Sequence, residues 1–509
     1  MGCFAGWPPA PRRCHIKLLL RPNPLRLFDR YVFIASPSIL STHQPPRTDT
    51  PPLLNRPAFG TDFIWGTATA AYQIEGAVDR DGRGPSIWDT FSKQKGKIKT
   101  GEHADIACEF YDRYESDLRL HKELGLDHFR FSLSWSRILP DGTAPPRGGR
   151  INEAGLAFYD RLIDHCLRLG LTPWITLYHW DLPLALENQG GWPNRQIVDW
   201  FTDFVDVCTK AYGHKVKHWI VLNEPLAFSV LGYFTGQHAP GRRGFWNLLP
   251  VIHNTALAQA EGGRMVRQNV PDAQIGTAFS CSPVDPFTPR DQNAAARVDA
   301  LMNRLFIEPA LGLGYPSDTL PFLSDIARKV AKPGDMERLA FDFDFIGLQH
   351  YFRAVVEQSL FMPYLWAKEV TALRRGVPVI TEMGWEVYPD SMYRIIRQFS
   401  QYAGIKKLII TESGAAFYDT VQHGMVNDTA RTEYHQQYLT QVLRARQEGL
   451  PVDGYFAWTF LDNFEWAEGY RPRFGLVYVD FRTQQRIVKA SGRWFQQFLT
   501  AENETSKRL

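Results

Sequence analysis

Long apolar runs, sulfur and charge of one sign are all scarce in this 509-residue chain. No stretch approaches the roughly 18 uninterrupted apolar residues of a membrane-spanning helix, so no transmembrane helix is predicted. Six cysteines occur, Cys3, Cys14, Cys108, Cys166, Cys208 and Cys281, with no C-x-x-C and no zinc-ligand spacing. That excludes a disulfide scaffold and a structural zinc module, and buried reduced thiols are expected. The 57 basic side chains are nearly balanced by 54 acidic ones, a net charge of +3. Such a balance gives no argument for nucleic acid or an anionic membrane as partner. No Gly-x-Gly-x-x-Gly follows the first apolar run, which removes the dinucleotide fingerprint of an open doubly wound sheet. What is present is ordinary for a folded chain: 44% hydrophobic and 22% charged residues, enough for a large core and too apolar for global disorder.

Residues 1–56 differ from the rest. They hold ten prolines, eight basic side chains and two acidic ones, a net +6 that leaves the remainder at 49 basic against 52 acidic, net −3. Their longest apolar stretches, such as Leu18–Leu20 and Tyr31–Ala35, are too short for a signal-peptide core. An Arg-rich, acid-poor leader fits an organelle transit segment. A disordered tail or a start codon placed too far upstream fits equally. No methionine lies between Met1 and Met265, so a shorter product would need a non-standard start. The division expected is an N-terminal extension over 1–56 and one folded domain over 57–509.

The body alternates short apolar runs with amphipathic stretches. The runs are FIWGTATAAYQ from Phe63, HFRFSLSW from His128, TPWITLYHW from Thr172, HWIVLNEP from His218, AQIGTAFS from Ala273, DFIGLQHY from Asp344, KLIITES from Lys407 and GYFAWTF from Gly454. They are near-continuously apolar, which suits strands covered on both faces. In one intervening stretch Leu156, Tyr159, Leu162, Ile163, Cys166 and Leu167 recur at helical spacing, and Gly170 follows as a C-terminal cap. Eight strand–helix units predict a single (β/α)8 TIM barrel, with its chemistry at the C-terminal strand ends.

At those ends stand Gln73, Glu75, His179, Trp180, Asn223, Glu224, Gln349, Tyr351, Glu412, Trp458 and Asp462. Glu224 closes the fourth run and Glu412 the seventh, and these strands lie nearly across a barrel from each other. Two opposed carboxyl groups are what glycosidic cleavage requires. One protonates the leaving oxygen, and the other attacks the anomeric carbon or activates water to do so.

These motifs together resemble glycoside hydrolase family 1, the retaining β-glycosidases typified by β-glucosidases. The resemblance spans residues 58–500. It rests on FIWGTATAAYQIEGA (Phe63–Ala77), GRGPSIWDTF (Gly82–Phe91), FRFSLSWSRI (Phe129–Ile138), LYHWDLP (Leu177–Pro183), LNEP (Leu222–Pro225), ITESG (Ile410–Gly414), DNFEWAEGY (Asp462–Tyr470) and RFGLVYVD (Arg473–Asp480). It implies Glu224 as acid/base and Glu412 as nucleophile. It implies that Asn223 bonds the sugar 2-hydroxyl, that Gln73, His179 and Glu465 bind glycone hydroxyls, that Trp458 stacks on the ring and that Trp466 donates to a hydroxyl. Trp180, Gln349 and Phe474 complete the implied substrate-binding set, with Arg130 and Tyr351 against the nucleophile. An arginine beside Glu412 would hold it ionised, while Glu224 could stay protonated. The Glu465–Trp466 pair favours an unphosphorylated glycone. No cofactor and no metal is implied.

The chain departs from the family pattern at several places. Val221 replaces a usual threonine, predicting a lost hydroxyl near the acid/base. Gln349-His350 replaces Asn-Tyr, so the longer amide must be re-aimed. Ser413 and Thr459 replace asparagine and serine. The segments Gly232–Gly241 and Phe361–Pro389 are expected to rim the mouth, the second walling the leaving-group side. The expected activity is exo-hydrolysis of β-glucosides or short β-linked oligosaccharides such as cellobiose, with β-galactosides or β-fucosides also accepted. Transglycosylation by the same residues and a non-catalytic sugar-binding role stay open. Charge and cysteine usage predict a cytoplasmic protein, and an organelle remains open through the leader. Asn427 and Asn503 fit the glycosylation triplet.

Overall fold

The computed structural model describes residues 54–501 except residue 363. The expectations for residues 1–53, including Cys3 and Cys14, and for the Asn503 triplet lie outside the described residues. All eight predicted runs form strands: β1 (Ile64–Ala68), β2 (His128–Ser132), β3 (Thr172–Tyr178), β4 (His218–Asn223), β5 (Gln274–Ser280), β6 (Phe345–Gln349), β7 (Leu408–Ser413) and β8 (Val452–Trp458). Each pairs in parallel with its sequence neighbours, and β1 pairs with both β2 and β8, closing the barrel. Helices follow the strands: α1 (Phe110–Glu123), α2 (Glu153–Arg168), α3 (Ile197–Tyr212), α4 (Phe245–Asn269), α5 (Gln292–Asp299), α6 (Asp390–Ser400), α7 (Thr429–Gln447) and α8 (Ala490–Thr500). This is the (β/α)8 TIM barrel that the alternation predicts.

Helix α2 shows why the pattern was readable. Phe158, Tyr159, Leu162, Ile163 and Cys166 are buried on one face, and Gly170 adopts φ 69° just beyond the last turn, a conformation that a Cβ disfavours. Two residues later β3 begins. The four described cysteines, Cys108, Cys166, Cys208 and Cys281, are buried and free.

The strands' N-terminal ends are plugged by rings. Trp174 donates its indole N–H to His128 Nδ1 at 2.9 Å and stacks on His218 at 4.2 Å, with Phe345 and Phe456 against its edges. Burial pushes His128 and His218 down to about 4, so both rings are neutral near pH 7. Glycines make room for the plug. A Cβ on Gly276 would lie 2.3 Å from the Phe345 ring, and one on Gly66 would lie 2.5 Å from both the Phe456 ring and the His128 carbonyl. The floor is therefore solid and the opposite end alone is open to chemistry.

Two further devices shape the open end. A small sheet of Val284–Pro286, Ala354–Gln358 and Ala367–Glu369 carries the segment after β6. A buried ion cluster ties the β7 and β8 loops to α7 and α8. In it Asp462 accepts from Lys489 Nζ at 2.6 Å, Arg473 Nη1 at 2.7 Å and the Gly475 backbone N–H at 2.9 Å. Arg431 pairs with Asp419 and Asp428, and Lys489 also reaches Asp419. Asp462 is thus a structural anchor. So is Glu75, which accepts from Arg137 Nε at 3.0 Å and from the Tyr159 hydroxyl at 2.6 Å.

Gly66→Ala is expected to cost about 1–3 kcal/mol, because the new methyl meets backbone on one side and a locked ring on the other. Urea unfolding should show a lowered midpoint with an unchanged slope.

Candidate active site

Each candidate residue reaches the same end of the barrel by a distinct local route. Gln73 does not extend β1. That strand ends at Ala68, and Gln73 lies in a short helical turn, Ala71–Ile74. The turn is set by Thr69 N–H donating to the Arg130 carbonyl and Ala71 N–H to Ser132 Oγ. His179 and Trp180 follow β3 directly, and Trp180 is left-handed at φ 77°. Glu224 follows β4 at φ 47° and Trp466 is left-handed at φ 46°. Non-glycine residues occupy that region at a cost of roughly 1–3 kcal/mol each, and such strain gathers at functional sites. The ladder also slips beside both key carboxylates, between Ile220 and Asn223 on β4 and between Ile410 and Glu412 on β7. Such irregularities re-aim side chains.

Arg130 organises the centre. It is fully buried, and its Nη1 donates to Glu412 Oε1 at 2.6 Å and to the Thr411 carbonyl at 3.1 Å. Its Nε donates to Thr176 Oγ1 at 3.0 Å, and its Nη2 donates to Asn223 Oδ1. The other oxygen of Glu412 accepts from the Tyr351 hydroxyl at 2.6 Å. Gln349 Nε2 bridges Glu412 Oε1 at 2.7 Å and Asn223 Oδ1 at 2.5 Å. The extra methylene of Gln349 thus places its amide on the carboxylate itself. Asn223 Nδ2 donates to His179 Nε2 at 3.0 Å, which leaves one amide hydrogen for a ligand.

A second group lies beside the first. Gln73 Nε2 donates to Asn463 Oδ1 at 3.0 Å and to the Phe464 carbonyl at 2.8 Å, so its Oε1 turns the other way. Trp458 and Gln73 face the Glu465 carboxyl. Trp466 packs on Trp180 at 4.6 Å and on Trp88 at 4.7 Å, with Tyr72 nearly parallel at 6.1 Å. Trp180 in turn donates its indole N–H to the Asn223 carbonyl at 2.9 Å. Phe474 and Trp385 flank the Tyr351 ring. All the predicted site residues therefore converge. Sequence reasoning missed Thr176, Asn463, Tyr72 and Trp88, which hold the others. The only signal for Asn463, Tyr72 and Trp88 is membership of the family motifs that contain them, and Thr176 lies in the apolar run just before one.

Electrostatics separate the carboxyl groups. Burial and the neighbouring Glu412 push Glu224 up to about 8. Burial also raises Glu412, but Arg130 and Tyr351 offset part of that rise, so a proton shared by the pair rests on Glu224. Burial, then Glu412 and Glu468, push Glu465 up to about 8. Burial holds His179 well below the usual imidazole range, hence neutral. Gln73 Oε1, Gln349 Oε1, Glu465 Oε2 and His179 Nδ1 are buried without a protein partner. Unpaired buried polar atoms are costly, and here they form a ring of unmet hydrogen bonds suited to a polyhydroxyl ligand.

The substitutions resolve differently. Val221 does not approach Glu224, contrary to expectation. Its Cγ1 lies 2.8 Å from where a Cβ on Gly262 of α4 would stand, so it faces outward from the barrel. The alternation of a strand buried on both faces gives no sign of which parity points inward. Ser413 Oγ pairs with the Tyr434 hydroxyl at 3.2 Å, and His350 bonds the Cys281 carbonyl and Ser391 Oγ, both behind the site. Thr459 Oγ1 donates to the Ala68 carbonyl at 2.7 Å. Segment Gly232–Gly241 brings His238 against Trp88 and Trp180. Among the described residues no cluster of three or more His, Cys, Asp or Glu is arranged to hold a metal ion, and no helix is long and apolar enough to cross a membrane.

A barrel whose open end presents two carboxyl groups of unequal proton affinity amid tryptophans and unpaired amides defines a glycoside hydrolase. Comparison with known proteins makes the assignment specific: residues 55–504 match the model of glycosyl hydrolase family 1, and the chain belongs to that family. It is 42% identical to a 1,4-beta-D-glucan glucohydrolase of Thermotoga neapolitana, over 86% of this chain and 97% of the relative. It is also 42% identical to beta-glucosidase A of Thermotoga maritima, over 87% and 98% respectively. Among solved structures, a beta-glucosidase from Thermotoga maritima in complex with azafagomine superimposes with a TM-score of 0.82 at 40% identity, covering 88% of this chain and all of the other.

Because Val221 faces α4, Val221→Thr should leave the pH dependence of kcat/KM in place. It should lower stability by about 1–3 kcal/mol by burying a hydroxyl without a partner. A shifted alkaline limb in the variant would return Val221 to the acid/base environment.

Proposed function

We propose that the protein is a retaining β-glucosidase that removes terminal β-D-glucosyl residues from small glucosides and short β-linked oligosaccharides. One observation carries the reading. Glu412 accepts hydrogen bonds from Arg130, Gln349 and Tyr351, while Glu224 has its pKa pushed to about 8. In the first step ionised Glu412 attacks the anomeric carbon as protonated Glu224 gives its proton to the departing oxygen. In the second step Glu224, now a carboxylate, takes a proton from water, which attacks the same carbon and releases Glu412. Gln73, His179 and Glu465 would satisfy their unpaired atoms on glycone hydroxyls, and Asn223 would use its remaining amide hydrogen on the 2-hydroxyl. The names of the relatives support glucose as glycone. β-Galactosides and β-fucosides are proposed as weaker substrates of the same pocket.

The test is chromophore release from p-nitrophenyl β-D-glycosides. Wild type should show a bell-shaped kcat/KM with an alkaline limb near pH 8, since loss of the Glu224 proton removes the general acid. Glu224→Gln should lower kcat/KM by about 10²–10⁴-fold and abolish that limb. Glu412→Gly should be inactive, and added azide should then yield the α-glucosyl azide. A β-product, or hydrolysis retained in the glycine variant, would overturn the double displacement.

A further inference from the structure

The segment after β6 is fastened by a cluster of charges that the reaction does not use. Arg353 stands two residues beyond Tyr351. It grips Glu386 with both Nε and Nη2, at 2.9 and 3.0 Å, and donates Nη1 to Asp285 at 3.1 Å. Arg375 donates Nη1 to the same Glu386 oxygen at 2.6 Å, and Arg394 holds Asp285 with two bonds of 3.0 and 2.5 Å. The Arg353 guanidinium lies 3.7 Å over the Tyr388 ring. Glu386 is only 7% exposed. Two-pronged arginine–carboxylate pairs of this kind fix orientation as well as distance.

The clamp leads directly to the nucleophile. Glu386 adjoins Trp385, whose ring stacks on Phe352 at 5.0 Å and leans on Tyr351 at 5.4 Å. Both ends of the Tyr351–Arg353 stretch are therefore pinned: the backbone through Arg353, and the ring through Trp385. The Tyr351 carbonyl is held as well, by the Tyr434 and Tyr438 hydroxyls at 3.4 and 3.3 Å. From this geometry we infer that Glu386 is a positioning residue, which through Arg353 and Trp385 holds the Tyr351 hydroxyl on Glu412. The inference rests on the glucosidase reading only in needing Glu412 to be the reacting carboxylate.

The consequence is a pH signature. Glu412 is faced by Arg130 from β2, Gln349 at the end of β6 and Tyr351 two residues beyond it, Glu224 just after β4 and Glu465 from the β8 loop. Of these, Arg130 and Tyr351 favour its ionised form. Freeing Tyr351 removes one such donor, so Glu412 protonates more easily and the acid limb of kcat/KM moves to higher pH. The alkaline limb belongs to Glu224 and stays.

Glu386→Gln should shift the acid limb upward by about half a pH unit or more and lower kcat on p-nitrophenyl β-D-glucoside about ten- to hundredfold. Tyr351→Phe should shift the same limb. The double variant should shift it no further than Tyr351→Phe alone, because residues acting through one contact are not additive. If Glu386→Gln does not fold, Arg353→Lys, which keeps the charge but loses the two-pronged grip, takes its place in the same cycle. An acid limb unmoved in a folded clamp variant, or additive shifts in the double variant, would overturn the inference. Wild type inactive on every β-glycoside would instead count against the glucosidase reading.

Discussion

The site depends on one buried cation. Arg130 is removed from water entirely, and a guanidinium in that position is tolerable only when its donors are met. They are met by three strands: Thr176 of β3, Asn223 of β4, and Thr411 with Glu412 of β7. The same bonds that stabilise the charge fix the relative placement of Glu412 and of the residue preceding Glu224. Lysine would supply the charge but not the planar fork that reaches several partners at once.

Around this centre the protein uses buried ion pairs as fasteners for loops. The cluster of Arg431, Lys489 and Arg473 with Asp419, Asp428 and Asp462 carries three charges of each sign, so it has no net charge to neutralise. It secures the stretch that presents Asn463, Glu465 and Trp466. The Glu386 clamp does the same for the stretch after β6. Both lie outside the cavity. The cavity itself keeps unpaired atoms on Gln73, Gln349, Glu465 and His179, and rigid surroundings keep those atoms from collapsing onto one another.

Much of this was legible in the sequence, for a definite reason. Strands buried on both faces read as unbroken apolar runs, so all eight stood out, and Glu224 and Glu412 stood out by ending two of them. The same double burial hides which residues point inward, which is why the sequence suggests Val221 beside Glu224 while the fold sets it against α4. Gln73 reads as a strand end because nothing in FIWGTATAAYQ marks the stop at Ala68. The turn that carries it is set by Arg130 and Ser132, about 60 residues away in sequence. Glu386 was unreadable for the opposite reason. It lies in a segment without periodicity, and its meaning comes from Arg353, Arg375 and Asp285, which only the fold brings together.

Burial alone cannot divide labour between Glu224 and Glu412, since both are deeply enclosed and both are raised by it. The division comes from partners. Arg130 and Tyr351 touch Glu412, whereas Glu224 receives only a weaker pull from the same arginine and a bond from Ser280. Glu465 sits with Glu224 on the protonated side, and His179 is neutral. Near pH 7 the cavity thus holds one fixed cation and one carboxylate, and its other titratable groups are uncharged. In the proposed reaction, charge that develops on a sugar carbon as its bond breaks would therefore meet a single negative group, Glu412, undiluted by competing carboxylates. In the proposed double displacement Glu224 surrenders its proton as Glu412 becomes a neutral ester, so one negative charge replaces the other. With the Glu412 charge gone, one of the two main causes that raise Glu224 is lifted, which favours the ionised carboxylate that takes a proton from water.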